Sequence, residues 1–384
     1  MPLELLTPPS ALDRIGFELG WDFSRYGLEP AQPHASAHTP LRDGLRASRA
    51  TFGSRRLGAS VPVQQWLELR LSAWLRGRSV ETVQVTPHYL AQLNVSHCPV
   101  TRQALAAPLV DTNDEGDAPT FSRVRNDAGY AAGNLAVMSA RAHRAKGSHD
   151  HRSALALAQR SAGGPLHRLD ADAWARLAVL CSFVQPLPHD EACALPLHVL
   201  PPNRLRLFNP AQALQTALSR LLLADGWSAR VRRIAALLPP GSARRSLLEF
   251  FAALLPRFLE GGRGRPALEA RWAIEDAWRA PLVLKRWQAF ARPLGAAGCE
   301  ALLLRAAQRG LVAQGVWQLA DAAATDGWAL ATRGHVAPTE PMETTFVSAR
   351  SVARRTPLRS TRAAALATTR TAQACLPLQE AGAR

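Results

Sequence analysis

A chain of 384 residues that is 47% hydrophobic has room for two or three domains and a sizeable core, which excludes an intrinsically disordered polymer. Its formal net charge of +16, from 46 basic and 30 acidic residues, favours polyanionic partners such as DNA or RNA. The five cysteines are scattered and odd in number with no Cys-x-x-Cys pair, so neither a disulfide framework nor a structural zinc site is expected.

The first residues, Met1-Pro-Leu-Glu-Leu-Leu-Thr-Pro-Pro9, lack the basic and apolar regions of a signal peptide. No apolar run approaches the ~20 residues of a membrane span, so a cytoplasmic protein without a membrane partner is expected. Residues 1–82 form an N-terminal region. Within it, Ile15 to Tyr26 concentrates aromatics and reads as a docking segment. Arg42, Arg46, Arg49, Arg55 and Arg56 face one nearby acid, Asp43, and read as a solvated basic arm. From Val61 to Arg78, Trp66, Leu67, Leu69, Leu71, Trp74 and Leu75 recur at helical spacing, which predicts an amphipathic helix.

Residues 83–160 hold the densest pattern. His97-Cys98 opens it and reads as structural rather than metal-binding. The loop Val110–Pro119 then collects Asp111, Asp114, Glu115 and Asp117. Thr120 to Val124 is a β-prone run. Arg125 to Gly133 carries Asn, Asp and two glycines and should turn, and Asn134 to Met138 is a second apolar run. Ser139 is positioned to cap a helix carrying Arg141, His143, Arg144 and Lys146. Strand, loop, strand and helix follow from these residues alone.

Over about fifty residues, 97–147, this stretch resembles the HNH endonucleases, the ββα-metal or His-Me finger group. It is most similar to members whose core reads roughly Asp-Arg-Ile, Gly-Tyr, Gly-Asn-Val and Asn-Arg-x-Lys. The matching residues are Ser122-Arg-Val124, Gly129-Tyr130, Gly133-Asn134-Leu135 and His143-Arg144-Ala145-Lys146, preceded by Cys98-Pro-Val-Thr101 in the place of a Cys-x-x-Thr. The resemblance implies catalytic roles for Asn134, which orients the loop beneath the general base, and for His143. It also implies one divalent metal ion, Mg²⁺ or Mn²⁺, with His143 as a ligand.

Two departures weigh against cleavage. The family's metal-binding Asp at the end of the first strand is Ser122 here, a poor ligand beside a carboxylate. Arg123 stands where most members keep a water-activating His, and a guanidinium does not accept a proton at neutral pH. The acidic loop could supply the lost carboxylate instead, since Asp117 lies five residues upstream. The cations Arg123, Arg125, Arg141, Arg144, Lys146 and Arg152, set against Asp127 and Asp150, suit phosphate binding better than hydrolysis and are the expected nucleic-acid contacts.

Residues 166–330 read as a helical domain broken by Pro and Gly. Helices are expected over Leu169–Val184, Pro210–Ala224, Ala229–Leu238, Ala243–Leu255, Pro266–Ala280, Pro281–Ala291, Cys299–Ala307 and Val312–Ala324. No fixed repeat period supports a solenoid. Residues 331–384, with eight arginines against Glu340, Glu343 and Glu380, read as a disordered basic tail.

The expected fold is therefore α+β and predominantly α-helical: a small ββα module, then a helical domain and the tail. The expected function is nucleic-acid binding on a degenerate HNH-like module without nuclease activity. Two alternatives stay open, an active metal-dependent endonuclease with a rearranged site and a helical protein-interaction scaffold.

Overall fold

The computed structural model describes residues 9–30, 39–105, 116–262, 264–312 and 322–337. Helices dominate them, with one two-stranded antiparallel sheet. The segments expected as a docking strip and a solvated basic arm form two packed helices, α1 (Ala11–Arg25) and α2 (Thr39–Phe52). The first does pack, through Leu19 and Phe23, and the arginines of the second region are exposed. A Ser10–Asp13 capping box starts α1. The helices approach closely because Gly20 and Gly44 have no side chain: a Cβ on Gly20 would collide with the Leu41 carbonyl, and one on Gly44 with that of Phe17. The basic spacing suggested an arm, but Leu41 and Leu45 on α2 bury against Leu19 and Phe23 on α1.

Helix α3 (Val61–Leu75) departs from the amphipathic reading. Leu67 and Leu71 join the α1–α2 core, whereas Leu69 and Ala73 join a second core with Tyr130, Leu135 and Val137. A helix clamped between two cores has apolar residues on opposite faces. Its buried cation, Arg70, is held by Asp22 at 2.5 Å and lies 4.3 Å over the Trp66 ring. Helix α4 (Pro87–Leu93), capped by Thr86, leads toward the hairpin.

Strands β1 (Pro119–Arg123) and β2 (Leu135–Ser139) pair antiparallel, with Ser122 opposite Ala136 and Arg123 opposite Leu135. Asn134 immediately precedes β2. Ser139 ends that strand and caps α5 (Ala140–Lys146), its hydroxyl accepting from the Ala142 N–H at 3.2 Å. Helices α6 (His151–Arg160) and α7 (Ala171–Ser182) follow. Then come α8 (His189–Ala194), α9 (Pro210–Leu221), α10 (Trp227–Ala235), α11 (Ser242–Gly262) and α12 (Ala267–Ala277). Helix α13 (Pro281–Gln308) merges the two segments expected at 281–291 and 299–307 across a break at Gly295. Most of the helix expected at Val312–Ala324 lies outside the described residues.

One apolar core runs from the hairpin through the helices, joining Val124, Ala136 and Met138 to Trp174, Trp278 and Trp287. Polar bolts reinforce it. Glu275, 2% exposed, takes Arg102 at 3.0 Å and Arg271 at 3.2 Å and accepts the Leu200 N–H. That ties the Cys98–Thr101 turn to α12. Trp328 donates to the Ala132 carbonyl at 3.1 Å, and its own carbonyl accepts from Gly129 N–H at 2.7 Å. The expected tail starts at 331, yet His335 bridges to Arg78 and the Val336 N–H donates to Gly77. Residues 338–384, which hold the rest of it, lie outside the described residues. Among the described residues, no helix is long and apolar enough to cross a membrane.

Candidate functional site

Asn134 organises the loop between the strands. It is fully buried, accepts the Arg125 N–H at 2.8 Å, and donates to the carbonyls of Arg125 (3.1 Å) and Gly129 (3.0 Å). One primary amide thus satisfies three backbone groups that the turn takes out of the ladder. The flanking glycines have their own reasons. Gly133 holds φ +87°, and a Cβ there would strike the Arg206 side chain. A Cβ on Gly129 would lie 2.8 Å from the Ser79 carbonyl oxygen.

Arg123 closes the same loop from the other side. Its Nη1 donates to the carbonyls of Asn126 (2.9 Å) and Ala128 (2.8 Å), and its guanidinium lies 5.3 Å from the Tyr130 ring centre. Burial lowers its pKa. Lys146 is 2% exposed and reaches Asn126 Oδ1 at 2.5 Å, while the Asn126 amide donates to the His149 carbonyl at 3.2 Å. Burial pulls the Lys146 pKa down as well. Asn126, which sequence reasoning treated only as a turn residue, is therefore the joint between loop and helix.

His143 on α5 meets Ser122 on β1, its Nδ1 3.0 Å from the serine Oγ. Ser122 is 1% exposed. Burial pushes the imidazole pKa down to about 4, with the charges of Lys146, Arg76, Arg123 and Arg144 acting in the same direction. His143 is therefore neutral at pH 7. It lines a cavity of about 550 Å³ between α3 and the hairpin, together with Glu68, Ser72, Arg76, Phe121 and Tyr130. Arg76 is held there by the Ser72 hydroxyl at 2.5 Å and the Tyr130 hydroxyl at 3.2 Å. Burial raises the Glu68 pKa. Neither Glu68 nor Arg76 was expected at the site, because Glu68 on α3 and Arg76 at its C-terminal cap lie far from the motif in sequence.

The remaining expected contacts divide. Arg125 forks onto Asp127 at 2.8 and 2.9 Å, and Arg141 pairs with Asp117 at 2.8 Å. Exposed Arg152 pairs with Glu191 at 3.0 Å, and Arg144 is exposed. The Asp117 carboxylate, considered as a substitute for the one missing at 122, is committed to Arg141. Asp111, Asp114 and Glu115 lie outside the described residues. Cys98 is buried and its Sγ accepts the Ser139 N–H at 3.3 Å, bracing the strand–helix junction, while the His97 ring packs on Trp272.

The donor set does not fit a hard divalent ion. Mg²⁺ and Mn²⁺ take oxygen ligands, carboxylates foremost, and Ser122 stands hydrogen-bonded to His143 on the strand position the family gives to a carboxylate. Glu68 is the one carboxylate lining that cavity among the described residues, and the charges of Arg76, Arg123 and Lys146 all bear on His143. Among the described residues no group of three or more His, Cys, Asp or Glu could hold a metal. What the arrangement offers is a neutral imidazole and a guanidinium steadied by two hydroxyls, a combination that accommodates an oxyanion. No protein-family model, curated protein or solved structure matches the chain.

Proposed function

We propose that this chain binds nucleic acid through an HNH-like strand–strand–helix module that does not cleave it. The observation carrying this reading is the 3.0 Å contact between Ser122 and His143. The two positions that would share a metal in a nuclease of this build satisfy each other instead. The Asn134 clamp supports the likeness to the family, and the formal charge of +16 supports a polyanionic partner. Affinity then rests on phosphate contacts and falls steeply with salt, with little dependence on sequence. Retention of a supercoiled plasmid at low salt, without nicking when Mg²⁺ or Mn²⁺ is added, is the expected result. Nicking that EDTA and His143→Ala both abolish overturns it.

Glu68 favours one second reading. It lines the same cavity as His143, and burial holds its carboxyl partly toward the neutral form, as in many general acids and bases. A rearranged endonuclease would use it in place of the missing strand carboxylate. Metal-dependent nicking by the parent protein that Glu68→Gln removes would select this reading over the first.

A further inference from the structure

Beyond the motif, between α6 and α7, the chain makes a turn that the sequence does not advertise. The N–H of Leu166 donates to the Leu169 carbonyl and the N–H of Leu169 to that of Leu166, both at 2.9 Å. Between them His167 and Arg168 hold φ of +50° and +63°. Positive φ at both central positions is the mark of a type I′ turn, where Asn-Gly, Asp-Gly or Gly-Gly are the usual choices because a Cβ is penalised there. Two consecutive residues with long side chains in that conformation are uncommon. Such positions persist where the surroundings hold them and the side chains have a use.

The surroundings do hold them. Fully buried Trp174 donates its indole N–H to the Leu166 carbonyl at 3.1 Å, and the His167 ring packs edge-on against that indole. Asp170, the carboxylate nearest in sequence, spends its side chain capping α7 through the Ala173 N–H at 2.7 Å. The turn therefore presents His167 and Arg168, both exposed, on a rigid base. Opposite stand Arg141 and Arg144 of α5, and the four side chains line a cleft of about 270 Å³. Asp117 pairs with Arg141 at 2.8 Å. Among the described residues Arg168 has no carboxylate partner, and the Arg141 Nε is buried without an acceptor.

We infer that this cleft is a phosphate-binding site, in which Arg168 and Arg144 grip a backbone phosphate of the bound nucleic acid and the His167–Arg168 turn sets their spacing. The inference rests on the nucleic-acid reading above and adds to it two residues outside the HNH-like segment. Three guanidinium groups around one small cleft match the several acceptor oxygens of a phosphodiester, whose recognition needs charge and donors rather than a particular base.

The test exploits the turn. His167→Asn with Arg168→Gly replaces the strained pair by the sequence that type I′ geometry prefers, so the fold is expected to hold or gain thermal stability. Affinity for a short labelled duplex, measured by fluorescence anisotropy at several salt concentrations, should nevertheless fall. Each lost phosphate contact removes about one from the slope of log affinity against log salt, roughly tenfold in affinity near 0.1 M salt. Adding Arg144→Ala should deepen the loss. Arg232→Ala with Arg233→Ala, two exposed cations on α10, is the control for charge alone. Parent binding with a turn variant that matches it, or that falls only as far as the α10 control, overturns the cleft while leaving the nucleic-acid reading intact. A parent that binds neither duplex DNA nor RNA of the same sequence overturns both.

Discussion

Lys146 and Arg144 lie two residues apart on α5 and carry the same charge in opposite surroundings. Lys146 is buried at 2% exposure with its ammonium on Asn126, while Arg144 stands exposed at the rim of the Arg168 cleft. The same division runs through the whole strand–strand–helix segment. Inside, Asn134, Arg123, Lys146 and Asn126 form a network whose job is to hold a short loop in place. Outside, Arg144 is exposed and shares a cleft with Arg168 of the turn beyond α6. A count of cations treats the two sets alike. Burial separates them, because a charge taken out of water must spend its hydrogen bonds on the protein.

The largest effect that would break this division is expected from Asn134→Ala. It strands the Arg125 N–H and the carbonyls of Arg125 and Gly129, all of which the Asn amide serves. At about 1–3 kcal/mol for each buried group left unpaired, and allowing for partial relaxation, the loss should be on the order of 4 kcal/mol in urea unfolding. A loss below about 1 kcal/mol would mean that the loop is held by something else.

Acidity gives the next effect. His143 and His198 both have pKa values held down to about 4, burial being the first cause in each. Their unfolded-state values are near 6.5, so as pH falls below 6.5 the unfolded chain takes up protons that the folded chain refuses. Stability is therefore full above about pH 6.5, declines toward pH 4 and levels off below it. At pH 5 each histidine should cost roughly 2 kcal/mol relative to pH 7. His143→Asn should remove about half of the joint loss. A parent equally stable at both pH values would contradict the burial of both rings.

The smallest effect belongs to the outer surface. Arg152→Ala breaks an exposed pair with Glu191 and should leave the thermal unfolding midpoint at the parent's value. The His151–Glu191 contact at 3.1 Å remains to hold that carboxylate.

Much of the hairpin is legible in sequence because its determinants are local. Gly and Asn mark the turn, a β-prone run and an apolar run mark the two strands, and Ser139 sits where a cap belongs. The N-terminal helices were harder to read, since Pro and Arg punctuation outweighed the signal of two glycines that matter only once α1 meets α2. Arg76 and Glu68 come to His143 through the packing of α3 between two cores, which no spacing within the motif encodes. The use of each cation was invisible for the same reason. Lys146 and Arg144 differ by which side of one helix turn faces the core.

That difference supplies the most direct test, a salt titration of duplex binding by Lys146→Met beside Arg144→Ala. Methionine keeps most of the buried lysine's volume and removes its charge, so Lys146→Met should bind with the parent's affinity and salt slope. Arg144→Ala should lose about one unit of slope and bind more weakly at every salt concentration. The reverse pattern, with slope lost on Lys146→Met and kept on Arg144→Ala, would contradict the division between internal and external cations.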